Sequence, residues 1–162
     1  MAGEESNGAE RQLVIFRLGT DAYGFDIDAV REIIRVQEIT RVPNTPENIE
    51  GVINLRGRIC PVMDLRKRLG VPPSAATSDS RIVVVEIAGE DVGMMVDAVT
   101  EVLRVPEDRI QPPASLVVTA DLRVVEDIVN LGDRLIIIVQ LSALLTSDDS
   151  SALADVGARA AA

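Results

Sequence analysis

The 162-residue chain contains no histidine and no tryptophan, one tyrosine, two phenylalanines and one cysteine. Without histidine, Ser/His and Cys/His nucleophile pairs and His-ligated metal sites cannot be assembled. The scarcity of aromatic rings removes the stacking platforms used for single-stranded nucleic acids. Basic residues number 16 against 26 acidic ones, and the net charge of −10 repels phosphate backbones and anionic membrane surfaces. The lone Cys60 excludes an intramolecular disulfide, and its apolar setting from Ile59 to Met63 predicts a buried, inert thiol. No apolar run approaches the roughly 20 residues of a membrane helix, and residues 1–11 lack the basic and apolar regions of a secretory signal. A soluble, cytoplasmic protein is expected.

Phosphate-binding glycine motifs are missing as well: neither GxGxxG nor GxxxxGK[ST] occurs. The carboxylate pairs Glu90/Asp91 and Glu126/Asp127 read as solvated turns, and Asp26 and Asp28 have no convincing metal-ligand spacing. The chain is therefore expected to be no enzyme and to need no cofactor.

What is present is apolar residues, 47% of the chain, mostly Val, Ile, Leu and Ala, with a β-branched share that favours strands. Internal repetition organises them. Gly24–Val36 (GFDIDAVREIIRV) and Gly93–Val105 (GMMVDAVTEVLRV), 69 positions apart, share seven of thirteen residues. Gly51–Leu69 aligns with Asp127–Leu145 at an offset of 76, with Asn54, Leu55, Arg58, Leu65 and Leu69 meeting Asn130, Leu131, Arg134, Leu141 and Leu145. Two related units follow, here copy one and copy two, over about residues 12–72 and 80–145.

Each copy predicts the same elements. Leu13–Leu18 and Tyr23–Ile27 form a hairpin about Gly19-Thr20-Asp21, as do Ile82–Ile87 and Val92–Val96 about Gly89-Glu90-Asp91. An Asp-Ala-Val segment suits one helical turn before a strand at Ile33–Val36 or Val102–Val105. A second hairpin, Gly51–Leu55 and Ile59–Met63 about Arg56-Gly57, leads into a short helix over Asp64–Leu69 that Gly70 stops. About five short strands in each copy suit a small closed barrel. Neither copy alone buries much, so the two are expected to share an interface and to be able to exchange strands. Residues 1–11 and 146–162 read as flexible tails, and Pro72–Ser80 as the connection between copies.

Where the copies differ, the shared fold is not the reason. Arg56-Gly57 in copy one stands opposite Gly132-Asp133 in copy two, so a cationic hairpin tip faces an anionic one. Arg56 is either an ordinary surface residue paired with a nearby carboxylate or a guanidinium presented to a partner.

The stretch GVINLRGRICPVMDL from Gly51 to Leu65, preceded by Val42-Pro43-Asn44-Thr45-Pro46, resembles the signature of CheW-type domains. Phe16-Arg17-Leu18-Gly19 with Tyr23–Ile27 is similar to the start of that family, and Leu131–Ile136 to its end. The resemblance runs over about residues 12–145. It implies an all-β fold of two packed, five-stranded SH3-like barrels with short helices. It also implies an adaptor that binds chemoreceptor (methyl-accepting chemotaxis protein) cytoplasmic tips and the regulatory domain of a CheA-type histidine kinase, recruited to membrane-associated arrays. In such proteins a receptor helix packs into a groove between the barrels. By position, Val30, Glu32, Gly51 and Arg56 match the receptor-binding residues. Copy two repeats the first two as Val99 and Glu101, which leaves a structural role open, and Gly51 could serve strand entry. Asp127 departs from the family, which often has glycine there. A kinase, a phosphotransfer domain or a receiver would not fit in this length, so a stand-alone adaptor is expected.

Overall fold

A computed structural model describes residues 10–72, 74–113 and 124–145. Among the described residues, eleven strands carry the fold. Copy one supplies β1 (Glu10–Leu18), β2 (Asp21–Asp26), β3 (Val30–Arg35), β4 (Ile49–Leu55), β5 (Arg58–Asp64) and helix α1 (Leu65–Leu69). Copy two supplies β6 (Arg81–Ile87), β7 (Glu90–Val96), β8 (Ala98–Pro106), β9 (Ile110–Gln111), β10 (Val125–Asn130) and β11 (Leu135–Val139). Glu10 and Arg11, expected in the N-terminal tail, belong to β1; the rest of both tails lies outside the described residues.

The two copies exchange their first hairpins. One sheet has the order β9-β10-β11-β2-β1-β8 and the other β3-β6-β7-β5-β4, so β1–β2 joins copy two and β6–β7 joins copy one. The exchange is reciprocal in register. Gly24 runs parallel opposite Ile138, and Gly93 opposite Val62, at the offsets of the repeat. A β-bulge recurs at Ile15/Phe16 against β8 and at Val30/Glu32 against β6, and another at Val125/Asp127 and Ile49/Gly51. Each bulge thus occupies equivalent positions in the two halves. The two-residue β9, which gives the first sheet its sixth strand, corresponds to the isolated Thr40–Val52 bridge beside β4.

Burial explains why β1 and β6 read as unbroken apolar runs. Leu13 and Ile15 fill the core of their own sheet with Val129, Ile136 and Ile138, while Phe16 and Leu18 turn to a core shared by both sheets. In β6, Ile82 and Val84 join Ile53, Cys60 and Val62, while Val83, Val85 and Ile87 face the shared core. A strand buried on both faces loses the apolar/polar alternation of a one-sided strand. The result is an all-β molecule of two packed, SH3-like barrels, each with its own core and a third core between them.

Local structure departs from expectation in several places; Asp21, expected in the first turn, opens β2. The turn of the β6–β7 hairpin is Ala88-Gly89, with φ of 52° and 83°, so Glu90 and Asp91 lie in β7 and are not turn residues. Glu126 and Asp127 likewise belong to β10. The helical turn expected after the hairpin forms in copy one, at Ile27–Ala29 where the Asp26 side chain accepts from Asp28 N, but in copy two β8 starts at Ala98 directly after Asp97. Asp97 instead ties three elements together: it accepts from Gly19 N at 2.7 Å and from Arg66 Nε at 2.7 Å, and its own N donates to Arg17 O.

Cys60 is 2% exposed, in β5 opposite Ile53. Burial, helped by the Asp91 charge, pushes its thiol up to about 11. Thiol reagents should therefore label it slowly in native buffer and rapidly in denaturant, as mass spectrometry over a time course would read. Fast labelling of the folded protein would refute this.

Candidate interaction site

The hairpin β4–β5 ends in a two-residue turn, Arg56-Gly57, with φ of 55° and 82°. Two successive positive φ values make a type I′ turn, whose twist matches that of the strands. The Asn54 side chain closes it by accepting from Gly57 N at 2.8 Å. In copy two only Gly132, at φ 89°, is left-handed, which is the type II′ pattern, and Asn130 accepts from Gly132 N at 3.0 Å. The two tips thus differ in backbone as well as in charge.

The structure brings two of the four candidate residues together. Arg56 Nη2 donates to Glu32 Oε1 at 3.0 Å, although their positions are 24 residues apart. Arg56 therefore pairs with a nearby carboxylate, one of the two alternatives open from the sequence, while remaining 77% exposed and so accessible to a partner. Such an exposed pair contributes about 0–1 kcal/mol. Beside it lies a depression of about 250 Å³ whose lining includes Glu32, Leu55, Arg56, Arg58, Ile59 and Cys60.

Val30 and Gly51 stand elsewhere. Val30 is half-buried against the shared core, opposite Val85 at the β3 bulge. Gly51 is buried at the far end of β4, with φ 151°, and a Cβ there would stand 2.1 Å from the Thr40 carbonyl oxygen. Its glycine is thus required by the close approach of the Thr40 segment, which is bridged to the neighbouring Val52. Asp127, its counterpart in copy two, has no positive φ and sets its carboxylate 3.5 Å from Arg11 Nη1, while Arg11 Nη2 meets Asp26 and Glu126, each at 3.1 Å. The departure from glycine at Asp127 thus coincides with an ion cluster on the first sheet. A crevice of about 80 Å³ between the barrels is lined by residues that include Tyr23, Leu69, Val125 and Ile137, and by none of the four candidates.

Sequence reading did not single out Arg31, Arg58 or Ile59. Arg31 sits in the β3 bulge and pairs with Glu86 and with Asp91; its copy-two counterpart is Thr100. Among the described residues, Ile59 is one of four exposed large apolar residues, and these form two repeat-related pairs: Ile33 with Val102, and Ile59 with Leu135. Comparison of the copies position by position carries the signal for Arg31.

Two barrels joined by exchanged hairpins, distinguished from each other by surface charge and carrying exposed apolar residues at equivalent places, define a class of tandem-barrel interaction domain. Residues 12–149 match the CheW-like domain family, and the chain belongs to it. It is 34% identical over 146 residues to a probable chemotaxis protein CheW of Rhizobium etli, covering 90% of this chain and 94% of the relative. It is 35% identical to the chemotaxis protein CheW of Bacillus subtilis, over 86% of this chain and 89% of that protein. The crystal structure of the scaffolding protein TtCheW from Thermoanaerobacter tengcongensis superposes with a TM-score of 0.80 at 45% identity, covering 86% of this chain and 94% of that one.

Proposed function

We propose that this chain is a non-enzymatic adaptor that couples the cytoplasmic tips of chemoreceptors to a CheA-type histidine kinase in bacterial chemotaxis signalling. Membership of the CheW-like family over nearly the whole described chain carries this reading, together with 45% identity to a scaffolding protein. An adaptor needs two surfaces. The Glu32–Arg56 rim is particular to copy one and serves the receptor, while the face of the other sheet that exposes Val102 and Leu135 is available to a second partner. Glu32 and Arg56 touch the receptor helix; Val30 and Gly51 act by shaping β3 and β4. Binding both partners raises their effective concentration and links receptor conformation to kinase activity. No helix among the described residues is long and apolar enough to cross a membrane, and recruitment to receptor arrays supplies the membrane association.

The test is a pull-down of a receptor cytoplasmic fragment and a CheA-type kinase with the full chain, followed by titration of Arg56→Ala. Because alanine inherits the φ of 55° and the lost ion pair is exposed, folding stability should change by less than about 0.5 kcal/mol. Receptor affinity should fall by about 1 kcal/mol or more, and kinase affinity by less. A clear loss of stability with unchanged receptor affinity would overturn the assignment of Arg56.

A further inference from the structure

The two barrels hold equivalent arginines differently. In copy two, Arg134 Nη2 donates to Glu101 Oε2 at 3.0 Å, and the arginine is 41% exposed. The equivalent residues in copy one are Arg58 and Glu32, but that carboxylate is occupied by Arg56. Among the described residues Arg58 reaches only Asp91, at 4.0 Å, and is 78% exposed. The turn is the physical cause. A type I′ turn places an arginine at the tip of β4–β5 where copy two has Gly132, which offers no side chain to compete for Glu101.

We infer that Arg58, displaced from Glu32 by Arg56, is a specificity-determining contact of the copy-one rim: with Ile59 it takes a helix presenting a carboxylate beside an apolar side chain. Three guanidiniums, from Arg31, Arg56 and Arg58, line this depression with two carboxylates, Glu32 and Asp91, so cations outnumber anions there in a chain of net charge −10. Arg31 and Arg56 would each have to share or surrender a close carboxylate to accept a new one. Arg58 gives up only a long, solvent-screened contact, so a partner carboxylate meets the least competition there. Ile59, adjacent in the chain and 46% exposed, offers apolar surface that would exclude water from the new pair. This inference rests on the receptor-binding reading above and places an acidic residue of the receptor helix against Arg58.

The experiment titrates a receptor cytoplasmic fragment into the full chain. Arg58→Ala should weaken binding about fivefold and Arg58→Glu more than about tenfold, with a flatter salt dependence than the unsubstituted chain. Arg134→Ala, the equivalent change in copy two, should leave affinity within about twofold. If Arg58→Ala binds normally while Arg56→Ala is weakened, the Arg58 contact is refuted and the receptor reading stands. If the unsubstituted chain does not bind the fragment, both fail. Displacement has its own readout in the free protein, the carboxyl carbon resonance of Glu32 by NMR. Arg58→Ala should leave it unmoved in the unsubstituted chain but shift it in an Arg56→Gly background, where Arg58 can take the place Arg134 takes in copy two. Equal shifts in both backgrounds would overturn the displacement.

Discussion

Gly51→Ala should destabilise the folded chain by about 3 kcal/mol or more, measured as equilibrium unfolding in urea. Two effects add. The backbone at Gly51 has φ 151°, which L side chains rarely adopt, and a Cβ would sit 2.1 Å from the Thr40 oxygen and 2.9 Å from Ile39 Cγ2. The Thr40 segment cannot simply retreat, because Thr40 N donates to Val52 O and Val52 N donates to Thr40 O, both at 2.8 Å. Relief of the clash would forfeit that bridge, which closes the edge of β4. Gly57→Ala is the control: its φ is 82° but nothing lies within 4 Å of the added carbon, so only backbone strain of about 1 kcal/mol is expected. A loss at Gly51 no larger than at Gly57 would refute the packing account. The result also bears on function, since any receptor binding lost with Gly51→Ala must first be corrected for the folded fraction.

The repeat, the hairpins, the helix stop at Gly70 and the burial of Cys60 were all legible in the sequence because they are local, set by turn residues and apolar runs. Strand exchange was open to sequence reading only as a possibility, for a definite reason. Exchanging the first hairpins between two equivalent halves leaves every repeat identity unchanged, so the match of Gly24 to Gly93 is blind to whether Gly24 pairs with its own copy or with Ile138 of the other. The trace it leaves is in β1 and β6, where Leu13–Phe16 and Ile82–Val85 lack alternation because each strand borders two cores. At the site, Arg56 was legible as a difference between copies. Its partner was not, because Glu32 reaches it across the barrel rather than along the chain.

Difference between the copies also separates fold from function more sharply than either copy alone. The bulges, the parallel contacts of Gly24 and Gly93 and the side-chain closure of the hairpin tips by Asn54 and Asn130 recur, and so belong to the architecture. Arg31, Arg56 and the released Arg58 do not recur in their roles, and all three line one depression. Not every unrepeated contact is a partner site, however. Asp97 has a sequence counterpart in Asp28, but the counterpart of its partner Arg66 is Ser142, and the contact it makes joins the two sheets.

Asp97→Ala should accordingly cost about 2–3 kcal/mol of stability, read by urea or thermal unfolding. The carboxylate accepts from Gly19 N, at the tip of the hairpin that copy one lends to the first sheet, and from the guanidinium of Arg66 on α1 beside the second. Removing it leaves a partly buried arginine and a backbone donor without their acceptor. The Arg66 hydrogen bond, with the Gly19 N–H adding to it, holds the Asp97 carboxyl below its usual range. A carboxylate depressed in the folded state contributes stability that is fully present above its unfolded pKa of about 3.9 and is lost as pH falls through the lower folded value. Unfolding free energy of the unsubstituted chain should therefore fall more steeply below about pH 4 than that of Asp97→Asn, with the two curves converging at low pH. Asp64 works in the opposite direction, since burial raises its carboxyl, but it is common to both proteins and cancels in the comparison. Asp97→Asn keeps one acceptor oxygen for Gly19 N but loses the charge and replaces the oxygen facing Arg66 Nε with an NH2 that cannot accept, so it should fall between the unsubstituted chain and Asp97→Ala at pH 7. Parallel pH curves for Asp97→Asn and the unsubstituted chain would refute the role of the charge and leave the carboxylate a neutral turn acceptor.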